Sequence, residues 1–199
     1  MSILSPWRGR VWRPGDEPAS VASVPNLISL ARILLTPVFI VIALSNPEPG
    51  AVRTLAALLF AVLIATDFVD GRIARGRGLV TDLGKLIDPI ADKAITSSAF
   101  IVLSVLGELP WWITAVVLLR EWGITIYRLA VSSRVVIAAD WAGKAKTMAQ
   151  AVALPLALLP LQAWVGEWGV WACVVTMTIA VALTVHSGLE FAWHAVRSR

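Results

Sequence analysis

Five acidic residues fall within the stretch Asp67–Asp92 of a 199-residue chain that is 58% hydrophobic. The stretch reads D-F-V-D-G-R-I-A-R-G-R-G-L-V-T-D-L-G-K-L-I-D-P-I-A-D. Asp67 follows the apolar run Ala56–Ala65 almost directly, and Asp88 and Asp92 open the next one. A carboxylate entering a membrane helix is costly, so such residues mark function by default. Asp67 and Asp70 are three apart and Asp88 and Asp92 four apart, so on helices each pair shares one face. Two helices joined by a short loop would then point four carboxylates at one place. Like charges at close range raise each other's pKa, so the four cannot all stay ionised without compensation. Two divalent cations would balance them, and an all-oxygen set suits Mg2+ or Mn2+. Two metals about 3.5–4 Å apart can clamp a phosphoryl group during in-line displacement. Gly71 lets a ligand approach the backbone, Arg75 offers a bidentate fork to phosphate, and Gly84 relieves crowding where the next helix begins. The plainer alternative is two acid-flanked helix ends sharing a solvated loop.

The pattern D-x2-D-G-x2-A-R-x8-G-x3-D-x3-D is met at Asp67, Asp70, Gly71, Ala74, Arg75, Gly84, Asp88 and Asp92. It resembles the signature of the CDP-alcohol phosphotransferase family. The resemblance implies CDP-diacylglycerol as donor, its diphosphate bridging two metals. An acceptor hydroxyl would attack the lipid-side phosphorus, and CMP would leave. Asp67, Asp70 and Asp88 would be metal ligands, with Asp92 as the fourth ligand and the general base. Gly71, Ala74 and Arg75, with Thr81, would hold the CMP portion, and Asn26 and Gly84 are placed with the donor as well. The family also implies a homodimer. Three further segments, Pro25–Arg32, Arg120–Trp122 and Gly143–Gln150, resemble the phosphatidylglycerophosphate synthases, whose acceptor is sn-glycerol 3-phosphate. Phosphatidylglycerol, as in a cardiolipin synthase, and inositol phosphate are the alternative acceptors.

A mean hydropathy of +0.78 and only 15% charged residues place the chain among integral membrane proteins, since a soluble domain carries about 25% charge. The net charge of +4 would elsewhere suggest nucleic acid, but the basic residues cluster beside apolar spans and read as orientation. The single cysteine, Cys173, excludes an intramolecular disulfide and reads as a packing residue. Met1–Ser20 contains three arginines and three prolines without an apolar core. It reads as a disordered basic tail rather than a signal peptide, followed by one membrane domain over 21–199.

The elements that must position the acids are helices. The expected fold is all-α, with six transmembrane helices preceded by an interfacial helix over Val21–Arg32. The spans are expected near Ile33–Leu44, Ala51–Phe68, Leu86–Leu106, Trp111–Val131, Trp141–Leu161 and Trp168–Phe191, the first being too short alone unless helix is continuous from Leu27 with a kink at Pro37. Loops 45–52, 106–110 and 161–167 contain Glu48, Glu108 and Glu167 but no Lys or Arg. The other side collects the basic residues, so the N-terminus and the acid cluster are expected at the cytoplasmic face of a bacterial plasma membrane. Trp111, Trp112, Trp141, Trp164 and Trp168 fall near span ends, as an interfacial aromatic belt requires. An ion-coupled transporter is the competing class. Transporter sites lie near the midplane between repeats, whereas these acids gather at one face and no repeat is visible.

The acceptor is sought among the cations downstream: Arg120 and Arg128 on the fourth span, Lys144 and Lys146 entering the fifth. Arg120 sits inside an apolar run, where an uncompensated cation is costly. It is either salt-bridged to Glu121 or another acid, or a receptor for an anionic acceptor. Adjacent residues on a helix do not face each other, which favours the receptor and a phosphate on the acceptor. The four-acid reading makes the first prediction. EDTA is expected to abolish activity, Mg2+ or Mn2+ to restore it, and Asp67→Asn, Asp70→Asn or Asp88→Asn to remove most turnover. Full activity in chelator would exclude the two-metal site.

Overall fold

In a lipid interior every backbone N–H and C=O must find its partner within the protein, which leaves long apolar runs only the helix. The computed structural model describes residues 24–46, 48–77, 82–131 and 141–197, with side chains at 27–46, 48–66, 87–127, 141–194 and 197. Seven helices and no strand occur among these residues: α1 (Val24–Ser45), α2 (Ala51–Arg77), α3 (Asp82–Val105), α4 (Trp111–Val131), α5 (Trp141–Leu158), α6 (Leu161–Val165) and α7 (Glu167–Arg197). Among the described residues two segments are long and apolar enough to cross a bilayer, Leu27–Ser45 with mean hydropathy 2.5 and Glu167–His194 with 1.9. The tail expected over Met1–Ser20 lies outside the described residues, as does Thr81.

Three expectations change. Residues from Val24 to Arg32 do not form a separate interfacial helix; they are the first turns of α1, which continues through Pro37. Proline fixes a helical φ and removes only one ladder bond, and Thr36 gives its hydroxyl to the Arg32 carbonyl at 2.8 Å just before it. The second span does not stop near Phe68, because α2 runs on to Arg77 and α3 begins at Asp82. Much of the acidic signature is therefore helix rather than loop. The 161–167 loop contains a helix of its own, α6, closed by Gly166 at φ 63°.

Helix α1 packs against α2 and α3, α5 against α7 and α2, and α4 bridges α3 and α7. The core joins Phe39, Phe60, Phe100, Leu103, Leu154 and Leu158, with Ala43, Ala56, Ala57, Ala99, Ala153 and Ala180 between them. Small residues let helix backbones approach closely where lipid offers no hydrophobic drive to association. Phe39 and Phe60 stack across α1 and α2 with centroids 5.3 Å apart. The outward faces are apolar instead of polar, with Leu34, Val41, Leu119 and Trp168 between 65% and 82% exposed. In water such a surface would be a large exposed apolar patch. Trp111, Trp112, Trp141, Trp164 and Trp168 are all exposed, as the aromatic belt anticipated.

At the end of the bundle away from the acids, Arg53 closes α5. The last four carbonyls of a helix have no partner within it. Here Leu159 N–H donates to the Pro155 carbonyl at 3.0 Å and the Cys173 thiol to Leu156 at 3.3 Å. Arg53 serves the other two, Nη2 to Ala157 at 3.5 Å and Nε to Leu158 at 3.2 Å. The same Nη2 is ion-paired with Glu108 in the α3–α4 turn, which Gly107 makes possible at φ 77°. The Arg53 cation is thus neutralised locally. Arg53→Ala is expected to lower stability by about 1–3 kcal/mol, the cost of stranding buried polar groups. Turnover per folded molecule should be unchanged, because Arg53 lies about 21 Å along α2 from Asp67. Thermal unfolding and specific activity measured together in detergent check this, and a loss of specific activity without a loss of stability would contradict it.

Candidate active site

Asp88 and Asp92 stand one turn apart on α3 and both are half-buried. The Ser29 hydroxyl of α1 donates to Asp88 Oδ1 at 2.6 Å. Ser29 is itself buried, and Arg32, three residues further along α1, is buried too. Ser29 and Arg32 thus share one inward stripe of α1. Asp67, Asp70, Gly71, Ala74 and Arg75 lie on α2, and Gly84 on α3; the side chains of these six, and of Asn26 and Arg128, lie outside the described residues. Among the described residues no three metal-binding side chains converge. The two acids that are described present only hard oxygen donors, one of them fixed by an outer hydroxyl, and that chemistry fits Mg2+ or Mn2+.

Asp92 does not stand alone. Lys93, the next residue, forms an ion pair with its Oδ2 and lies 3.4 Å from Glu121 Oε2 on α4. Glu121 is 2% exposed, and its Oε1 accepts from Lys146 Nζ of α5 at 2.5 Å and from Arg120 Nη1 at 3.0 Å. Three cations from three helices converge on one carboxylate. The expectation that Arg120 and Glu121 would not pair is corrected here. Their Cβ atoms do point 100° apart on the helix, but the long arginine side chain curls around to the point where Lys146 and Lys93 already hold the Glu121 carboxylate.

Of the four cations expected to receive the acceptor, the structure brings Arg120 and Lys146 together, while Lys144 is exposed at the start of α5. Two buried polar atoms in the cluster have no hydrogen-bond partner among the described residues, Arg120 Nε and Glu121 Oε2. Native proteins leave few such atoms, and each calls for an explanation such as a functional role. A small cavity beside Asp92 and Lys93 is lined by Thr96, Thr147 and Gln150. Gln150 donates to Thr184 Oγ1 of α7 at 2.9 Å.

Lys93, Thr184, Ser187 and Gly188 were not singled out from the sequence. Lys93 had a signal, a second charge inside the run Ile90–Ile95. Thr184, Ser187 and Gly188 had a fainter one, polar or small residues at i, i+3 and i+4 of an otherwise apolar span. Glu121→Ala would leave Arg120 and Lys146 facing no carboxylate and Lys93 with Asp92 alone, and breaking a buried ion pair in this way costs about 3–5 kcal/mol. The variant is expected to be strongly destabilised, with Lys146→Met in the same chain recovering part of the loss. Thermal unfolding of the single and double variants measures this, and a single variant as stable as the parent would show that Glu121 does not organise the cluster.

Comparison with known proteins gives the site its context. The family model described as CDP-alcohol phosphatidyltransferase matches residues 22–186. A Mycobacterium tuberculosis protein named "Probable phosphatidylglycerophosphate synthase" is 44% identical over 180 residues, covering 90% of this chain and 84% of its own. A Bacillus subtilis protein named CDP-diacylglycerol–glycerol-3-phosphate 3-phosphatidyltransferase is 35% identical over 196 residues, covering 88% and 98%. An Escherichia coli protein of the same name is 32% identical over 177 residues, covering 85% and 92%.

Proposed function

This chain belongs to the CDP-alcohol phosphatidyltransferase family, and from that premise we propose that it transfers the phosphatidyl group of CDP-diacylglycerol to sn-glycerol 3-phosphate. The products are phosphatidylglycerophosphate and CMP, and the reaction belongs to phospholipid biosynthesis. The observation that carries the choice of acceptor is the contact chain from Asp92 through Lys93 to the cations around Glu121. It puts positive charge from three helices beside the carboxylate assigned as base, where an acceptor phosphate needs it. The names of the relatives support the same acceptor.

Each group then has a task. Asp92 takes the proton of the acceptor hydroxyl as its oxygen bonds to the lipid-side phosphorus. The bond from that phosphorus to the bridging oxygen breaks, and CMP departs with the electron pair. Ser29 holds the Asp88 carboxylate in place through its hydroxyl. Arg75, with Gly71, Ala74, Thr81, Gly84 and Asn26, holds the donor. Arg120 and Lys146, with Arg128 and Lys144, receive the acceptor phosphate through charge-assisted hydrogen bonds. Mg2+ or Mn2+ held by Asp67, Asp70, Asp88 and Asp92 would neutralise the donor diphosphate and the charge developing on CMP.

The same reading makes α1 to α5 and α7 six membrane spans, with the acid end of the bundle in the cytoplasm of a bacterial cell and the enzyme a homodimer. Purified protein given CDP-diacylglycerol is expected to release CMP with glycerol 3-phosphate and not with glycerol. Asp92→Asn should still bind the donor yet turn over about 100-fold more slowly or worse, the scale of lost general-base catalysis. A preference for phosphatidylglycerol or inositol phosphate overturns the acceptor and leaves the phosphatidyl transfer standing.

A further inference from the structure

Helix α7 carries none of the acidic signature, yet it holds Arg120 at two points. Arg120 Nη2 donates to Ser187 Oγ at 2.9 Å, and Ser187 in turn donates to the Thr184 carbonyl at 3.1 Å. The hydroxyl therefore uses its proton on its own helix and presents a lone pair to the guanidinium. One residue on, a Cβ at Gly188 would sit 2.9 Å from Arg120 Cγ. That carbon belongs to the root of the side chain rather than its free end, so it has little freedom to move aside. With Nη1 on Glu121 at 3.0 Å, the guanidinium is fixed by one carboxylate, one hydroxyl and one notch. Its Nε is buried with no acceptor among the described residues.

We infer that Ser187 and Gly188 are positioning residues for the acceptor: together they set the Arg120 guanidinium in the orientation that receives the acceptor phosphate. The inference rests on the reading that Arg120 binds that phosphate, and it extends the acceptor site to a helix outside the signature. An arginine ordered before binding gives up less freedom when the ligand arrives, so affinity depends on what holds it beforehand. Among the described residues Ser187 and Gly188 meet Arg120 and their own helix, while the donor end of the proposed chemistry is assigned to α2 and α3. Their loss should appear in acceptor binding alone.

The test is steady-state kinetics of the full chain in detergent or vesicles, with glycerol 3-phosphate and CDP-diacylglycerol varied separately. Ser187→Ala removes one hydrogen bond to a charged group and is expected to raise the acceptor KM about tenfold. The donor KM and kcat should stay within about twofold, since only groups around the bound acceptor change. Gly188→Ala should raise the acceptor KM further. If that variant does not fold, Ser187→Ala decides, because it only removes an atom. Arg120→Ala separates the two layers of the argument. Adding Ser187→Ala to it should have no further effect, the non-additivity of residues acting through one group. If Arg120→Ala leaves the acceptor KM unchanged, the phosphate reading fails and the inference falls with it. If Arg120→Ala raises it and Ser187→Ala does not, the role of α7 alone is overturned. A fall in kcat and donor affinity at constant acceptor KM would assign Ser187 to packing and overturn it equally.

Discussion

One buried carboxylate decides how the polar half of this protein is built. Glu121 lies in the interior of a bundle whose outer faces are apolar, and it meets Lys93, Arg120 and Lys146 from α3, α4 and α5. A lone carboxylate there would be driven to its neutral form, and each cation alone would carry a large desolvation cost. Together they can remain charged, but only while three helices keep their relative positions. The cluster therefore acts as a geometric constraint more than a source of stability, since a buried ion pair seldom outperforms well-packed apolar residues of similar volume. A membrane enzyme that must place a base near a cationic binding site has use for such a constraint. The link through Lys93 fixes the distance between Asp92 and the rest.

The two ends of the bundle solve opposite problems. At the Arg53 end the four terminal carbonyls of α5 all find donors, and the cation is neutralised on the spot by Glu108. At the Asp92 end, Arg120 Nε has no hydrogen-bond partner among the described residues, Glu121 Oε2 has only the Lys93 ion pair at 3.4 Å, and a small cavity lies beside Asp92 and Lys93. Interhelical hydrogen bonds in between, such as Trp122 Nε1 to Ser97 Oγ at 3.0 Å and Ser104 with Thr114 at 2.6 Å, tie α3 to α4 without adding charge. Such bonds contribute about 0.6 kcal/mol each on average in membranes, so they align helices more than they stabilise them.

The sequence was most legible where one residue type repeats at helical spacing in the wrong solvent. The eight-residue signature built on four aspartates pointed to the family that the comparison shows, and the helical assignment followed from hydrophobicity and turn residues alone. Helix ends were less legible: α2 continues nine residues beyond Phe68, because Gly71 and the arginines after it do not forbid helix in the way a proline would. Pairing was least legible. Helical periodicity states where Cβ atoms point, but Arg120 reaches Glu121 through a long flexible stem, and only the positions of Lys146 and Lys93 on other helices reveal why it does. The notch at Gly188 could not be read from one helix at all, since its meaning depends on what packs against it.

Charge counting around Glu121 narrows what the cluster can accept. Lys93, Arg120 and Lys146 face Glu121 and Asp92, three positive charges against two negative ones. A neutral polyol would leave the surplus cation uncompensated in a low-dielectric interior, where desolvated charge is most costly. A phosphate monoester brings between one and two negative charges near neutral pH, enough to cancel that surplus. It can also accept from the Arg120 Nε that lacks a partner. A lipid acceptor with a phosphodiester would also cancel one charge, but its tails would compete with the donor for the same lateral approach. One surplus positive charge thus favours an anionic ligand over a neutral one at this cluster, which agrees with the acceptor proposed above.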